Sequence, residues 1–261
     1  MLIIISPAKT LDFSPTDIIK ETSQPPLLEK TQILVNELKK YKAAKLARLM
    51  NINPKLAQLN FERYQEWELP FTTENAKQAI LTFKGDVYNG LQADSMSEKD
   101  FAYAQQHLRI LSGLYGVVKP LDLIQAYRLE MGTPVKFRKW KNLYNFWGNS
   151  IASLIISEIE KHDEKIIINL ASKEYFKSIE KFIQEKGIRI ITPDFKENKN
   201  GEYKFIHILG KRARGLMTRF IIDTKITDPE EIKLFDYEDY FYNDRMSAEN
   251  NWVFTRGLNQ D

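Results

Sequence analysis

"YNFWGNSIASLIISEIEKHDEKIIINLAS", residues 144–172, reads as a helix, a short polar turn and then a buried strand. The strand portion is apolar and β-branched with no alternation, the pattern of a strand covered on both faces rather than on one. The same signature occurs at "LIII" (2–5), where the run ends in the turn-rich loop "SPAKTLDFSP". Outward from residue 143, strands and helices alternate. A helix is expected over 174–186, strands at "IRIITPDF" and "KFIHIL", then a basic helix and a last strand at "NWVFTR". This alternation predicts an α/β or mixed α+β fold, with a single mixed sheet flanked by helices.

The middle of the chain reads differently. From Leu27 to Met50 apolar residues recur at helical spacing, "NINP" (51–54) breaks the run, and "KLAQLNFERYQEW" (55–67) reads as a second helix. A third helical stretch is expected near Thr73, and a fourth over 97–111 with Ser97 as its cap. "TPVKFRKW" alternates like a half-exposed strand. With no repeat, low-complexity tract or linker, the simplest organisation is one unit over 1–261. It carries a helical insertion around 27–130 that contains a hairpin-like element over 31–67.

Composition narrows the chemistry. Hydrophobic residues make up 43% and charged residues 28%, ordinary for a folded domain. The absence of cysteine removes disulfides, thiolate catalysis and cysteine-ligated metals. His107, His162 and His207 each stand alone in sequence, so neither a metal site nor a cofactor is expected. No apolar run approaches a membrane span of about 18–20 residues, and "MLIII" is too short for a signal segment. The expected location is cytoplasmic, with no membrane partner.

The net charge is only +3, but the signs are segregated. Cations gather in "KKYKAAKLAR" (39–48), "KFRKWK" (136–141) and between Lys211 and Arg219, while acids collect over 228–249. Such segregation makes local fields that attract anions. In "LGKRARGLMTRFII" (209–222), Ala213, Leu216, Met217, Phe220 and Ile221 share the face to be buried. Lys211, Arg212, Arg214 and Arg219 border it. Cations at a helix start are disfavoured by the helix dipole, so either they swing into water or an anion sits among them. In an α/β sheet, ligands bind beyond the carboxyl ends of strands. The loops "SPAKT", "ASKEY" and "GKRAR" meet that rule with Lys9, Lys173 and Lys211. They either converge on one anion site or lie at separate edges.

Two further stretches stand out. "LARLMNINPKLAQLNFERY" resembles a helix-hairpin-helix, with Asn51, Ile52, Asn53 and Lys55 at the turn. Pro54 removes one backbone donor there, and Asn51 tolerates the left-handed conformation a tight turn needs. "SGLYGVVKPLDLIQAYRLEMG" packs Tyr115, Asp122, Tyr127, Arg128 and Glu130 between glycines. Asp122, Tyr115 and Glu130 are the candidate acid–base residues of that loop, and a buried ionic fastening is the other reading. The S-x-x-K at Ser6–Lys9 and the Y-x-x-x-K at Tyr115–Lys119 lack the companion motifs of the enzymes that use them.

"LIIISPAKTLDF", "FKGDVYNGLQA", "LRILSGLYGVVKPLDLIQAYRLEMGT", "INLASKEYFKS" and "ARGLMTRFII" together resemble the YaaA family of peroxide-stress resistance proteins, over residues 1 to about 255. The resemblance implies a cytosolic bacterial protein that protects against hydrogen peroxide by limiting intracellular free iron and the damage it causes. It also implies one mixed α/β fold, a positively charged cleft, a helix-hairpin-helix and double-stranded DNA as partner. Carried over by motif, the cleft involves Lys9, Lys119, Arg128, Lys173, Lys211, Arg212 and Arg214, and the hairpin spans Leu49 to Ala57. Two function classes remain open at this point. One is a non-catalytic DNA-binding stress protein; the other is an enzyme acting on a phosphorylated or nucleotide-like substrate in the same cleft.

Overall fold

The structure, a computed structural model, describes residues 1–257; the last four positions of the unit read over 1–261 lie outside it. Eight strands form the main sheet. They are β1 Leu2–Ile5, β2 Leu108–Ser112, β3 Gly116–Val118, β4 Ile166–Leu170, β5 Arg189–Lys199, β6 Glu202–Lys204, β7 Tyr240–Tyr242 and β8 Asn251–Arg256. Their order is β7-β8-β5-β4-β1-β2-β3, with β6 paired to β5. Pairings from β8 through β5, β4 and β1 to β2 are parallel. The antiparallel β3, β6 and β7 sit at the margins. Every residue of β1, β2 and β4 is buried, so both faces are covered there. This is the mixed α/β sheet the alternation predicts.

The helices used below are α1 Leu28–Leu38, α2 Ala43–Met50, α3 Pro54–Glu66, α4 Asp86–Leu91, α5 Glu98–His107, α6 Ser150–Ile159 and α7 His207–Thr224. Several differ from the periodicity. The helix expected over 27–50 breaks at residues 39–42, because Tyr41 is buried and its hydroxyl reaches the Lys136 carbonyl at 3.4 Å. Tertiary docking there outweighs helix continuation. The helix expected over 97–111 starts on a Ser97–Asp100 capping box but ends at His107, and β2 follows directly. The segment around 27–130 is therefore not a purely helical insertion, since it supplies β2 and β3 to the sheet.

Near Thr73 only Ala79–Thr82 is helical, flanked by two-residue strands. The 174–186 stretch divides into Lys173–Phe176 and Glu180–Gln184. "TPVKFRKW" forms no strand beyond a Phe137–Trp140 bridge, yet its alternation holds: Val135 and Phe137 are buried, Lys136 and Arg138 exposed. In "KFIHIL" the last three residues already belong to α7. Lys211, Arg212 and Arg214 thus lie beyond its first turn, where the unpaired N–H groups are, and the expected clash with the helix start is relieved without an anion.

The hairpin-like element folds as α2 and α3 joined through Asn51–Asn53. Asn51 takes a φ of 51°. Asn53 caps α3 by accepting the Leu56 N–H at 2.8 Å, with Pro54 in the first helical turn. This is a helical hairpin; part of its N–H supply is committed to its own cap.

Helix α7 buries the face read from its sequence and crosses α4 at two glycines. A Cβ at Gly215 would stand 1.8 Å from the Val87 carbonyl oxygen, and one at Gly90 would stand 2.3 Å from the Arg212 carbonyl oxygen. The two backbones touch, so no side chain fits between them. Gly215→Ala is expected to force the helices apart and destabilise the fold by about 3 kcal/mol or more, the upper part of the overpacking range. A thermal melt that matches wild type would contradict this contact.

Candidate anion-binding site

The carboxyl ends of β1, β2 and β4 carry Ser6, Gly113 and Ala171 to one edge of the sheet. Two of the three lysine-bearing loops meet there. The Ser172 N–H donates to Ser6 Oγ at 2.9 Å, and the two hydroxyls lie 3.3 Å apart. Tyr88 Oη, from α4, donates to the Ser6 carbonyl at 3.1 Å. Tyr127 Oη and Ser112 Oγ are 2.7 Å apart at the end of β2. Burial raises the pKa of Tyr64, Tyr88, Tyr115, Tyr127 and Tyr175, so these phenols stay neutral as hydrogen-bonding groups.

The cations are arranged on this wall. Lys9 is 60% exposed and pairs with Glu130 at 2.6 Å, and Arg128 reaches the other oxygen of the same carboxylate at 3.3 Å. Lys173 is exposed at the start of the helical turn after "AS". The Glu174 carboxylate accepts the Gly132 N–H at 2.7 Å. Lys9, Arg128, Glu130 and Lys173 thus belong to one neighbourhood.

The remaining candidates are held by other elements. The third loop, "GKRAR", is inside α7. There Arg212 pairs with Glu238 at 2.5 Å, and Arg219 pairs with Asp223 at 2.7 Å and bonds Ser95 Oγ. Arg214 is mostly buried; burial lowers its pKa, against the pull of Asp194. Lys211 is half-buried with no carboxylate partner among the described residues. Lys119 follows β3, which runs antiparallel to β2, so it lies at the opposite end of the sheet from Lys9. Its ammonium pairs with Glu158 at 2.8 Å, and Arg109 Nε reaches the other oxygen of that carboxylate at 2.5 Å. Burial opposes ionisation of Glu158, but Arg109 and then Lys119 outweigh it and hold its pKa below the ordinary value.

Asp122 belongs to this second, structural group. It accepts Ser23 Oγ–H at 2.6 Å and the Lys119 N–H at 2.7 Å, fastening the 13–27 segment to the loop after β3. The Tyr115 hydroxyl is engaged with Trp67 Nε1 and the Gln125 backbone. The pairing of Asp122 with Tyr115 as acid and base is therefore not what the geometry offers. The long loop serves both ends: Asp122 fastens it, while Arg128 and Glu130 face the site. Sequence reading missed Tyr88 and Ser172. The last had a signal, since Ser6 and Ser172 are each the first hydroxyl after a fully buried strand.

Fold and site together define a mixed α/β protein with polar, cation-edged loops at the carboxyl ends of its parallel strands. The sequence model of the family described as peroxide stress protein YaaA matches residues 1–246. A "UPF0246 protein" of Colwellia psychrerythraea strain 34H is 51% identical over 256 residues, covering 98% of this chain and 99% of that one. Another of the same description, from Cellvibrio japonicus strain Ueda107, is 48% identical over 256 residues, covering 98% of each. The chain belongs to the YaaA peroxide stress protein family. No helix among the described residues is long and apolar enough to cross a membrane.

Burial pushes the Asp122 carboxyl up to about 6, against the hydrogen bonds from Ser23 and Lys119. Below its ordinary value of 3.8 both folded and unfolded chains hold this proton. Between there and about 6 the unfolded chain releases it first, so stability falls as pH rises through that window. The two-unit difference corresponds to roughly 3 kcal/mol. Asp122→Asn should lose this fall, measured by denaturant unfolding from pH 4 to 7; an unchanged profile would contradict the assignment.

Proposed function

We propose that this chain is a peroxide-stress protein that binds double-stranded DNA through a composite basic face beside the site. The observation that carries this is the Tyr41–Lys136 contact, which joins two cationic runs nearly a hundred residues apart. Lys42, Lys45 and Arg48 stand exposed on one side of it, and Lys136, Arg138, Lys139 and Lys141 on the other. None of these seven has a carboxylate within 4 Å among the described residues, unlike Arg212 and Arg219. Tyr144 extends the surface by donating to the Glu174 carbonyl at 3.0 Å, with the Lys177 ammonium 5.4 Å from its ring.

Exposed, unpaired cations release counterions when they meet phosphates, which is the main source of sequence-independent DNA affinity. The hairpin's share is smaller, because Pro54 has no N–H and the Asn53 side chain occupies that of Leu56. On this reading, protection from iron-driven damage acts at the DNA. Among the described residues no three His, Cys, Asp or Glu side chains group to hold a metal.

Fluorescence anisotropy of a labelled duplex, titrated across about 50–200 mM salt, tests this. The logarithm of the binding constant should fall linearly with log salt, by roughly 0.9 per phosphate neutralised. Lys139→Ala with Lys141→Ala should reduce the slope by about two. Absence of binding at the lowest salt would remove the DNA reading.

A further inference from the structure

Within the basic face, residues 137–140 close a tight hairpin. The Phe137 N–H donates to the Trp140 carbonyl at 3.2 Å, and the Trp140 N–H donates to the Phe137 carbonyl at 3.0 Å. Arg138 and Lys139 are therefore its two-residue tip, and both are exposed. Arg138 takes a φ of 49°, whereas Lys139 keeps a negative φ. That is the primed turn whose first central position suits glycine. An arginine there is strained, and it persists only where its surroundings hold it. The stem supplies the hold: the Trp140 ring meets Phe146 edge-on at 5.1 Å between centroids and lies tilted to Phe137 at 5.0 Å.

Trp140 is held in place without being hidden. Of the four tryptophans, Trp67, Trp147 and Trp252 are buried, and Trp140 is only half-buried. Tyr144, four residues on, is half-buried too, with its hydroxyl fixed on the Glu174 carbonyl. Each ring has an exposed lysine beside it. The Lys139 ammonium lies 5.6 Å from the Trp140 ring centre, and that of Lys177 lies 5.4 Å from the Tyr144 ring centre. Cations alone would hold the phosphates of paired and unpaired strands alike. The rings make the difference, because a duplex turns its base faces inward and leaves an aromatic side chain nothing to stack on. A single strand exposes those faces, and aromatic rings set among phosphate-binding cations are the means by which such strands are held.

We propose that Trp140, with Tyr144 beside it, is a base-stacking platform, and that the basic face therefore takes single-stranded DNA in preference to the same sequence as duplex. The proposal rests on the basic face being a DNA-binding surface and specifies the form of DNA it grips best. Arg138, Lys139 and Lys141 hold phosphates, and an unstacked base lies on the indole. Because Phe137 and Phe146 already fix that ring, little side-chain freedom remains to be lost on binding.

The test measures binding of the full chain to three labelled probes at one salt concentration, with tryptophan emission recorded alongside anisotropy. The probes are a single-stranded oligonucleotide, the same strand annealed to its complement, and the same strand carrying abasic sites. The intact single strand should bind tightest, and the abasic strand should lose that advantage. Bound single strand should also quench tryptophan emission, and Trp140→Phe should abolish the quench, since the other three tryptophans are buried. Trp140→Leu should weaken single-strand binding about tenfold, the scale of one lost stacking contact, while duplex binding and its salt slope stay as in wild type. Trp140→Tyr should restore most of the loss; if Trp140→Leu fails to fold, a single-strand affinity of Trp140→Tyr equal to wild type with the quench absent would overturn the platform. Equal affinity for single strand and duplex would overturn it as well, as would an abasic strand bound as tightly as the intact one. Either result leaves duplex binding by the basic face standing. Failure of all three probes to bind would remove the DNA reading and the platform together.

Discussion

Leu2–Ile5 has no polar residue to turn toward water, and it satisfies its backbone only between two other strands. It is flanked in parallel by Leu108–Ser112 and Ile166–Leu170, all of them buried. Parallel neighbours require long crossover connections, and full burial requires layers on both faces. One further consequence is functional. Parallel strands end at the same edge, so Ser6, Ser112 and Ser172 come to one side of the sheet whatever the connections between them. The polar wall of the candidate site follows from how the central strand must be paired.

The cations divide by what neutralises them. In α7, Arg212 and Arg219 are matched by Glu238 and Asp223, and at the far end of the sheet Arg109 and Lys119 share Glu158. Around Tyr41 and Lys136 the cations are exposed and unmatched. Around Glu130, Lys9 and Arg128 share one carboxylate. Exposed ion pairs add little stability, so matched residues are poor evidence for binding, and unmatched ones carry the functional argument.

Much of this was legible in sequence where one physical rule dominated. The apolar β-branched runs gave β1 and β4, the Ser97 cap gave the start of α5, and the apolar spacing gave the buried face of α7. The rule failed where tertiary contacts decide. "LRILS" continues the helical pattern of the preceding residues, and only its place between β1 and β3 makes it a strand. The start of α7 was displaced by three residues, which turned an apparent clash with the helix dipole into ordinary side-chain placement. In the site, Lys9, Arg128 and Lys173 were readable because they follow strands or stand in a glycine-flanked loop. Lys119 and Asp122 looked functional through their density of polar neighbours, but that density belongs to a buried fastening.

The central claim is that the unmatched cations around the Tyr41–Lys136 contact form the DNA-binding surface. Hydrogen–deuterium exchange of the chain with and without a saturating duplex addresses it directly. The account predicts slowed exchange over 39–48, 136–141 and 173–177, with α7 unchanged. Protection confined to α7, or absent from the first two segments, would contradict it.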